Sequence, residues 1–209
     1  MKPITHVDEA AGNQVSRYES RYTEIIDTAA VVFAAQGYDA TSIEDLIKAT
    51  HLQRGGLYHY IGSKMDLLVG IHDCAMKRLT KQVEEIFETV DDPEMALRRY
   101  ASVLLGSFEE FFPHVTVILR EWRAIQNHPE WPRLRAERRY VEDCIADSIA
   151  KGVQTGRFKS VDARLASLGL IGMVNYSHEW LQLSGPLPLA DIADTFVDIF
   201  LNGLCVRRN

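Results

Sequence analysis

The segment 37–63 constrains the fold most, because its glycines and capping residues leave room for only two short helices. Thr41, followed three residues later by Glu44, predicts a capping box at the start of the first one. The second is predicted over residues 54–61, after a turn at 50–53. Two helices of about two turns, joined by about four residues, have the dimensions of a helix-turn-helix.

The rest of the chain has helical periodicity, and no segment alternates convincingly as a β-strand would. A first helix is predicted from Ser20 to Gln36, capped by Gly37, and a long connector helix from Ser63 to Thr89. Later helices are predicted to start at Pro93, Pro113 and Pro132 and to cover 161–183 and 189–205. The predicted fold class is all-α, with about nine helices. Its predicted parts are a mobile leader (1–17), a three-helix helix-turn-helix domain (18–66) and a C-terminal helical bundle (67–209).

Charge and composition exclude several classes of protein. The net charge of −6 argues against a protein that coats nucleic acid, and residues 1–65 carry six basic against eight acidic side chains. Any DNA contact must therefore be local. The chain shows no secretion signal and no uninterrupted apolar membrane span, and Cys74, Cys144 and Cys205 are too widely spaced for a disulfide framework or a zinc motif. We therefore expect a cytoplasmic protein with reduced thiols and no cofactor or metal.

Catalysis finds little support in the sequence. Tyr176, His178 and Glu179 lie close together, but neighbouring helix positions point to different faces. There is no nucleophile elbow, phosphate-binding glycine loop or paired metal-ligand motif. We therefore predict that the protein is not an enzyme.

The segments 40–46 and 54–64, ATSIEDL and RGGLYHYIGSK, closely resemble the DNA-binding signature of the TetR family of transcriptional regulators. The order of the predicted helices matches as well. Two positions depart from the family pattern: His51 stands where glycine is usual, and Ile61 where phenylalanine is usual. The resemblance implies a repressor that binds double-stranded operator DNA.

The residues of this segment suit DNA contact individually. Gly55 and Gly56 lack side chains, so the third helix can approach DNA closely, and Arg54 offers the paired donors that match guanine. Tyr60 is the next candidate for base readout. Phosphate contacts are expected from Thr41, Tyr58, His59 and Lys64, and Ser42 completes the predicted DNA-binding set. Taken singly, the tyrosines could instead be core aromatics and Lys64 a solvated charge.

The last two predicted helices resemble the dimerisation surface of the family. The predicted interface consists of Gly169, Gly172, Ile192, Phe196, Ile199 and Phe200. A homodimer would read two half-sites, which predicts a palindromic operator. The alternative is that both faces belong to the core of a single chain.

The middle helices combine large apolar side chains with a few polar ones, as a ligand pocket does. The candidate ligand-binding residues are Phe111, Trp122, Tyr140, Met173, Asn175, Tyr176 and Trp180. The alternative for each is ordinary core packing. The family resemblance implies that a small hydrophobic effector binds there and releases the protein from DNA.

The run 119–123, the arginines at 133, 135, 138 and 139, and the stretch 175–183 look similar to acyl-CoA-responsive members of the family that control lipid or sterol catabolism. An acyl chain requires an apolar tunnel, and the CoA phosphates require arginines at its mouth. The arginines could equally form a solvated face paired with Glu137 and Glu142. The competing functional class is a dimeric ligand-binding or interaction protein that does not bind an operator.

Overall fold

The computed structural model describes the backbone of residues 6–204 and the side chains of residues 16–204. That part of the chain is helical and contains no β-strand, as predicted. Its eight α-helices are α1 (His6–Gln36), α2 (Ile43–Thr50), α3 (Arg54–Tyr58), α4 (Lys64–Thr89), α5 (Pro93–Arg120), α6 (Trp131–Gln154), α7 (Ala163–Asn175) and α8 (Leu189–Leu204). Two 3-10 helices, Ala124–Asn127 and Tyr176–Glu179, connect α5 to α6 and follow α7. Cys205 lies outside the described residues.

The ends of the first helices follow from their capping residues. Gly37 ends α1 as predicted, with the left-handed φ of +86° that glycine adopts without strain. The cap of α2 lies one residue later than predicted, because Ser42 and Asp45, rather than Thr41 and Glu44, exchange the two capping hydrogen bonds. The start of α1 was also predicted wrongly: the helix begins at His6 and includes most of the segment predicted as a leader.

The predicted helix start at Pro113 corresponds to a kink that divides α5 into two helical segments. A proline inside a helix lacks an N–H donor and crowds the carbonyl of the preceding turn. The helix here absorbs that defect as a kink at Phe111, where φ and ψ are −126° and 31°, and α5 continues to Arg120. The predicted helix at 161–183 is shorter in the structure, because α7 ends at Asn175 and a 3-10 helix follows.

Two hydrophobic clusters meet along α4. The first contains the buried faces of α1 to α3 and the start of α4, together with Val117, Ile118, Ile125 and Leu134 from the C-terminal half. The second lies between the rest of α4 and α5 to α8. Helix α5 is long and apolar enough to cross a membrane by length and composition alone, but its buried side chains, such as Leu105, lie in this second cluster. The helix-turn-helix unit and the bundle therefore share α4 and the second half of α5.

Candidate DNA-binding surface and effector cavity

Arg54 begins α3 and projects to the surface. Its guanidinium pairs with the carboxylate of Glu44 on α2, and the two side chains are 57% and 60% exposed. An ion pair this exposed contributes at most about 1 kcal/mol, because water screens both charges. Arg54 is therefore accessible, and it can exchange Glu44 for another partner at little cost.

Gly55 and Gly56 leave the surface beside Arg54 bare. Among the described residues, no atom lies within 4 Å of a Cβ placed on Gly55, and a Cβ on Gly56 would meet only Leu52 at 3.7 Å, an ordinary contact. Neither glycine has a positive φ. Glycine inside a helix costs about 0.5–1 kcal/mol relative to alanine. Nothing in the described fold therefore requires glycine at either position.

An aromatic cluster lies where α3 ends. Tyr18 of α1 stacks on Tyr60 with ring centroids 4.8 Å apart, and His59 packs edge-on against both rings. Tyr58 and His59 are exposed, whereas Tyr60 is half-buried. Tyr60 therefore has less surface to offer DNA than Tyr58. Tyr18, two residues before the predicted start of the first helix, was not among the predicted DNA-binding residues.

Lys64 and Thr41 stabilise the turn between α1 and α2. The Nζ of Lys64 donates to the carbonyl oxygens of Tyr38 (2.7 Å) and Thr41 (2.8 Å) and lies over the Tyr38 ring. Thr41 is buried, and its hydroxyl donates to the carbonyl of Gly37. Thr41 therefore has almost no surface to offer a phosphate, and Lys64 has a structural role whatever else it binds.

The turn between α2 and α3 is conformationally demanding. His51 ends α2 with φ +56° and ψ +27°, in the left-handed region that disfavours side chains. His51 is also the position at which the TetR signature that the sequence resembles usually has glycine. The geometry of the turn is therefore kept at an energetic cost.

The capping carboxylate of α4 lies close to the helix-turn-helix. Desolvation favours the neutral form of Asp66, but hydrogen bonds from the Ser63 hydroxyl and from the backbone N–H groups of Gly62 and Ser63 outweigh it and lower the pKa of Asp66 below its ordinary value. His128 adds a contact at 3.3 Å. Asp66 therefore ties the start of α4 to the segment after α5.

A cavity of about 290 Å³ lies inside the bundle, between α4, α5, α6 and α7. Its wall is mostly apolar, with Leu79, Leu104 and Val141 among the lining side chains. Arg78 and Glu110, both more than half exposed, form an ion pair beside Phe111 and mark its solvent-facing side. Such a chamber suits a small apolar ligand with one polar or charged end.

Two further charged residues of the cavity wall, Arg138 and Glu142, are half-buried. Arg138 donates to the carbonyl of Ile118 at 3.1 Å and lies 3.6 Å from the centre of the Trp122 ring. Desolvation lowers the pKa of Arg138 to about 10, and nearby Glu142 opposes the shift. Arg138 therefore remains cationic near neutral pH and can receive an anionic or carbonyl group.

The structure places two of the seven candidate ligand-binding residues, Phe111 and Asn175, in the cavity wall. Trp122 does not line the cavity; it contacts Arg138, His72 and Trp131. Tyr140, Met173, Tyr176 and Trp180 also lie away from the cavity wall. Tyr140, Tyr176 and Trp180 are exposed, and Trp180 packs on Phe196 of α8.

Helix α4 contributes to the cavity wall, although none of the candidate ligand-binding residues came from it. Ala75, Arg78, Leu79 and Gln82 are spaced as one helix face and all line it. Polar residues within an otherwise apolar stripe are the signal that could have indicated this. The arginines at 133–139 are also divided: Arg138 lines the cavity, whereas Arg133 binds Asp73, Glu130 and Glu137.

Helices α7 and α8 leave an apolar face uncovered in the single chain. The exposed residues of α7 follow one stripe, which is charged only at its start: Arg164, Leu165, Leu168, Gly169 and Gly172. On α8, Ile199 is 60% exposed, and Phe196 and Phe200 are half-buried. Ile192, also predicted in the interface, is instead buried in the core of its own chain.

A helix-turn-helix with an exposed arginine, joined by a shared helix to a bundle with a cavity, is the architecture of a ligand-responsive DNA-binding regulator. A family model described as "Bacterial regulatory proteins, tetR family" matches residues 25–71. A second, described as "Tetracyclin repressor-like, C-terminal domain", matches residues 90–204, more than half of the chain. The chain belongs to the TetR family of transcriptional regulators. This family membership agrees with the prediction that the protein is not an enzyme.

The relatives cover nearly the whole chain. The HTH-type transcriptional repressor KstR2 of Mycobacterium tuberculosis is 23% identical over 202 residues, which are 95% of this chain and 98% of that protein. The crystal structure of PfmR from Thermus thermophilus has a TM-score of 0.79 and 33% identity, covering 86% of this chain and 97% of that one. The structure of AibR with isovaleryl coenzyme A and operator DNA has a TM-score of 0.78 and 26% identity, with the same coverage.

Proposed function

We propose that this protein is a cytoplasmic repressor that binds a palindromic operator as a homodimer and is released by a small hydrophobic effector, with an acyl-CoA as the preferred class. The observation that carries the proposal is the bare surface of Gly55 and Gly56 beside the exposed Arg54. The described fold does not require these glycines, and glycine destabilises a helix relative to alanine. Their presence therefore fits a surface that another molecule approaches closely. In a helix-turn-helix, that molecule is the major groove of DNA.

Replacement of Gly55 by alanine should have opposite effects on folding stability and on operator binding. Gly55→Ala should raise the free energy of unfolding by about 0.5–1 kcal/mol. It should also weaken operator binding by about 10-fold, because the added methyl group separates the contacting surfaces. Gly106→Ala is the matched control, since Gly106 is an exposed helical glycine with open space beside it in the bundle. The control should leave DNA affinity unchanged without effector, and equal affinities of both variants would contradict the proposal.

Operator binding is tested by selection of bound sequences from a random DNA library. We expect enrichment of a palindrome with half-sites about one helical turn apart or further. No enrichment by a folded dimer at moderate salt would favour the alternative, a dimeric ligand-binding or interaction protein without operator binding. The pairing of Arg54 with Glu44 and the acidic net charge are the features that fit that alternative.

We propose that the apolar face of α7 and α8 forms the dimer interface. Ile199→Glu would place a charge in the middle of that face, and unpaired charges are strongly disfavoured in a buried interface. Val31→Glu is the matched control, because Val31 is an exposed apolar residue on α1 (56% exposed, against 60% for Ile199). In sedimentation velocity, Ile199→Glu should be monomeric and Val31→Glu dimeric. Two dimeric variants would place the interface elsewhere.

The cavity supports the choice of effector class. Its apolar wall fits an acyl chain, Arg138 offers a cation inside, and Arg78 offers a second one at the solvent-facing side. AibR, which has the same fold, was crystallised with isovaleryl coenzyme A. The CoA phosphates would compete with Glu110 for Arg78, since arginine binds phosphate through paired donors.

Calorimetric titration with isovaleryl-CoA and longer acyl-CoAs tests this choice. Arg78→Ala should weaken binding of the thioester by about 10-fold, the value of one charge-assisted contact. It should leave binding of the free fatty acid unchanged. Arg135→Ala is the matched control, because Arg135 is exposed and lies outside the cavity wall. Equal effects of the two substitutions would contradict phosphate binding at Arg78.

We propose that α4 carries the signal from the cavity to the DNA. One face of α4 lines the cavity. Ser63, the N-cap residue of α4, lies five residues after the end of α3, the helix that begins with Arg54. A ligand shifts such an equilibrium only by the difference between its affinities for the two conformations. An acyl-CoA that binds the free form more tightly therefore derepresses the operator. Tighter operator binding in its presence would reverse the sign of the response.

A further inference from the structure

Three potential metal ligands converge where the helix-turn-helix unit meets the bundle. Asp27 lies on α1, Cys74 on α4 and His114 on α5, and a donor atom from each lies within 4.8 Å of the other two. Nε2 of His114 is 3.0 Å from Oδ1 of Asp27. Tetrahedral zinc sites separate their ligand atoms by about 3.3–3.8 Å, as follows from metal–ligand distances of about 2.0–2.3 Å. The cluster needs only small side-chain movements to reach that geometry.

The unsatisfied state of His114 is the independent observation that points to a ligand. His114 is only 5% exposed; Nδ1 has no partner within the described part of the chain, and Nε2 faces only the Asp27 carboxylate, 3.0 Å away and outside hydrogen-bond geometry. A buried polar group without a partner costs about 1–3 kcal/mol. A metal ion at Nε2 would remove part of that cost. Asp27 is exposed, so an ion has an entry path from solvent.

The donor set selects the metal. Carboxylate oxygen, imidazole nitrogen and thiolate sulfur together suit a borderline cation, and zinc accepts all three. Three protein ligands leave a fourth position for water on the solvent side. We infer that Asp27, Cys74 and His114 form a zinc-binding site that joins α1 to α4 and α5.

A second carboxylate and histidine cluster makes a useful contrast. His72 is fully buried beside Asp73 and Glu137, with Nδ1 at 3.6 Å and 3.8 Å from their oxygens. Arg133, however, already donates to both carboxylates. The charge that a metal would supply is therefore already present in that cluster, whereas no such cation binds Asp27 among the described residues.

The site also contacts the wall of the cavity. The His114 ring packs edge-on against Phe111, with centroids 5.7 Å apart, and Phe111 lines the cavity at the kink of α5. Bound zinc would hold α1, which belongs to the helix-turn-helix unit, against this kink. Zinc would then change how movement at Phe111 reaches the DNA-binding surface. The metal site itself does not depend on which effector the cavity binds.

Cobalt(II) is a suitable probe, because it replaces zinc and gives a thiolate-to-cobalt charge-transfer band only when a cysteine binds it. The full-length protein is treated with chelator, dialysed and titrated with Co²⁺ and then Zn²⁺. We use a variant with Cys144→Ser and Cys205→Ser, so that Cys74 is the only thiol. We expect one cobalt per chain with a charge-transfer band, displaced by one equivalent of zinc, and a higher melting temperature with zinc.

The matched variants separate the site from adventitious binding. Adding Cys74→Ser should abolish the band, and His114→Gln should lower cobalt affinity by at least about 100-fold, since even losing a residue that only supports a metal ligand costs 10–100-fold. Circular dichroism confirms that each variant is folded. No band in the Cys74-only protein at saturating cobalt would overturn the inference, as would zinc stabilisation of the Cys74→Ser variant equal to that of its parent. DNA affinity is measured separately, so loss of the metal site is distinguishable from loss of operator binding.

Discussion

Arg54 should determine base preference at one position in each operator half-site, and the structure allows the size of the effect to be worked out. In the free protein its partner is Glu44, in a pair so exposed that it contributes about 0–1 kcal/mol. A bidentate contact to guanine contributes about 1–3 kcal/mol of discrimination. The exchange of Glu44 for a base is therefore favourable. Arg54→Ala should weaken operator binding by about 5- to 140-fold for each half-site and abolish the preference at that base pair.

Glu44→Gln provides the complementary change. It removes the competing charge, so it should strengthen operator binding by up to about 5-fold for each half-site without altering base preference. Fluorescence anisotropy at fixed salt, against the operator and its single-base variants, measures both effects. The control for loss of a cation without loss of base readout is Lys48→Ala, because Lys48 is exposed. Lys64→Ala is less suitable, since Lys64 binds backbone carbonyls of its own chain. If Arg54→Ala kept the wild-type affinity and base preference, the assignment of readout to Arg54 would be refuted.

Three further predictions concern stability and ligand binding. His51→Gly should raise the free energy of unfolding by about 0.5–1 kcal/mol in urea denaturation, because glycine adopts the left-handed conformation without strain, and a loss of stability would contradict the strained turn. Gly106→Ala should stabilise the effector-free protein by a similar amount, about 0.5–1 kcal/mol. It should also weaken effector binding in calorimetry, because Gly106 lines the cavity. Ser102→Ala, one turn earlier and outside the cavity wall, should leave effector binding unchanged. Asp66→Ala should cost about 1 kcal/mol at pH 7, the value of a lost cap. Because the pKa of Asp66 is lowered in the folded state, its ionised carboxylate stabilises the fold at pH values above 3.8, the ordinary pKa of aspartate. This stabilisation is lost as pH falls through the folded pKa. The free energies of unfolding of wild type and Asp66→Ala should therefore converge only in that acidic range.

Local signals made much of the fold predictable. A capping residue or a helix-starting proline affects only the backbone next to it. The end of α1 at Gly37, the start of α4 after Ser63 and the start of α5 at Pro93 could therefore be predicted from the sequence. Pro113 was predicted to start a new helix, and the structure has a kink there, at Phe111, between two helical segments that together form α5. The capping pair of α2 was misplaced by one residue because Thr41 and Ser42 are both good caps, and the burial of Thr41 decided between them.

The sites were predictable to different degrees. The predicted DNA-binding residues Arg54, Gly55 and Gly56 lie in one short segment whose resemblance to a family signature could be seen in the sequence; their contact with DNA stays a prediction. The cavity is assembled from four helices, and composition could not distinguish Phe111, which lines it, from Trp122, which packs outside it. The cluster of Asp27, Cys74 and His114 has no motif at all, because its members come from three helices far apart in the sequence.

Release of the operator by an effector is the most direct test of the proposed function. The wild-type dimer is bound to fluorescent operator DNA, and isovaleryl-CoA, longer acyl-CoAs, free CoA and free fatty acids are added in turn while anisotropy is recorded. We expect a saturable fall to the anisotropy of free DNA with an acyl-CoA and no change with free CoA. Specific DNA binding that none of the acyl-CoAs alters would contradict the proposed effector class, and binding no stronger than to unrelated DNA would contradict the role as a repressor.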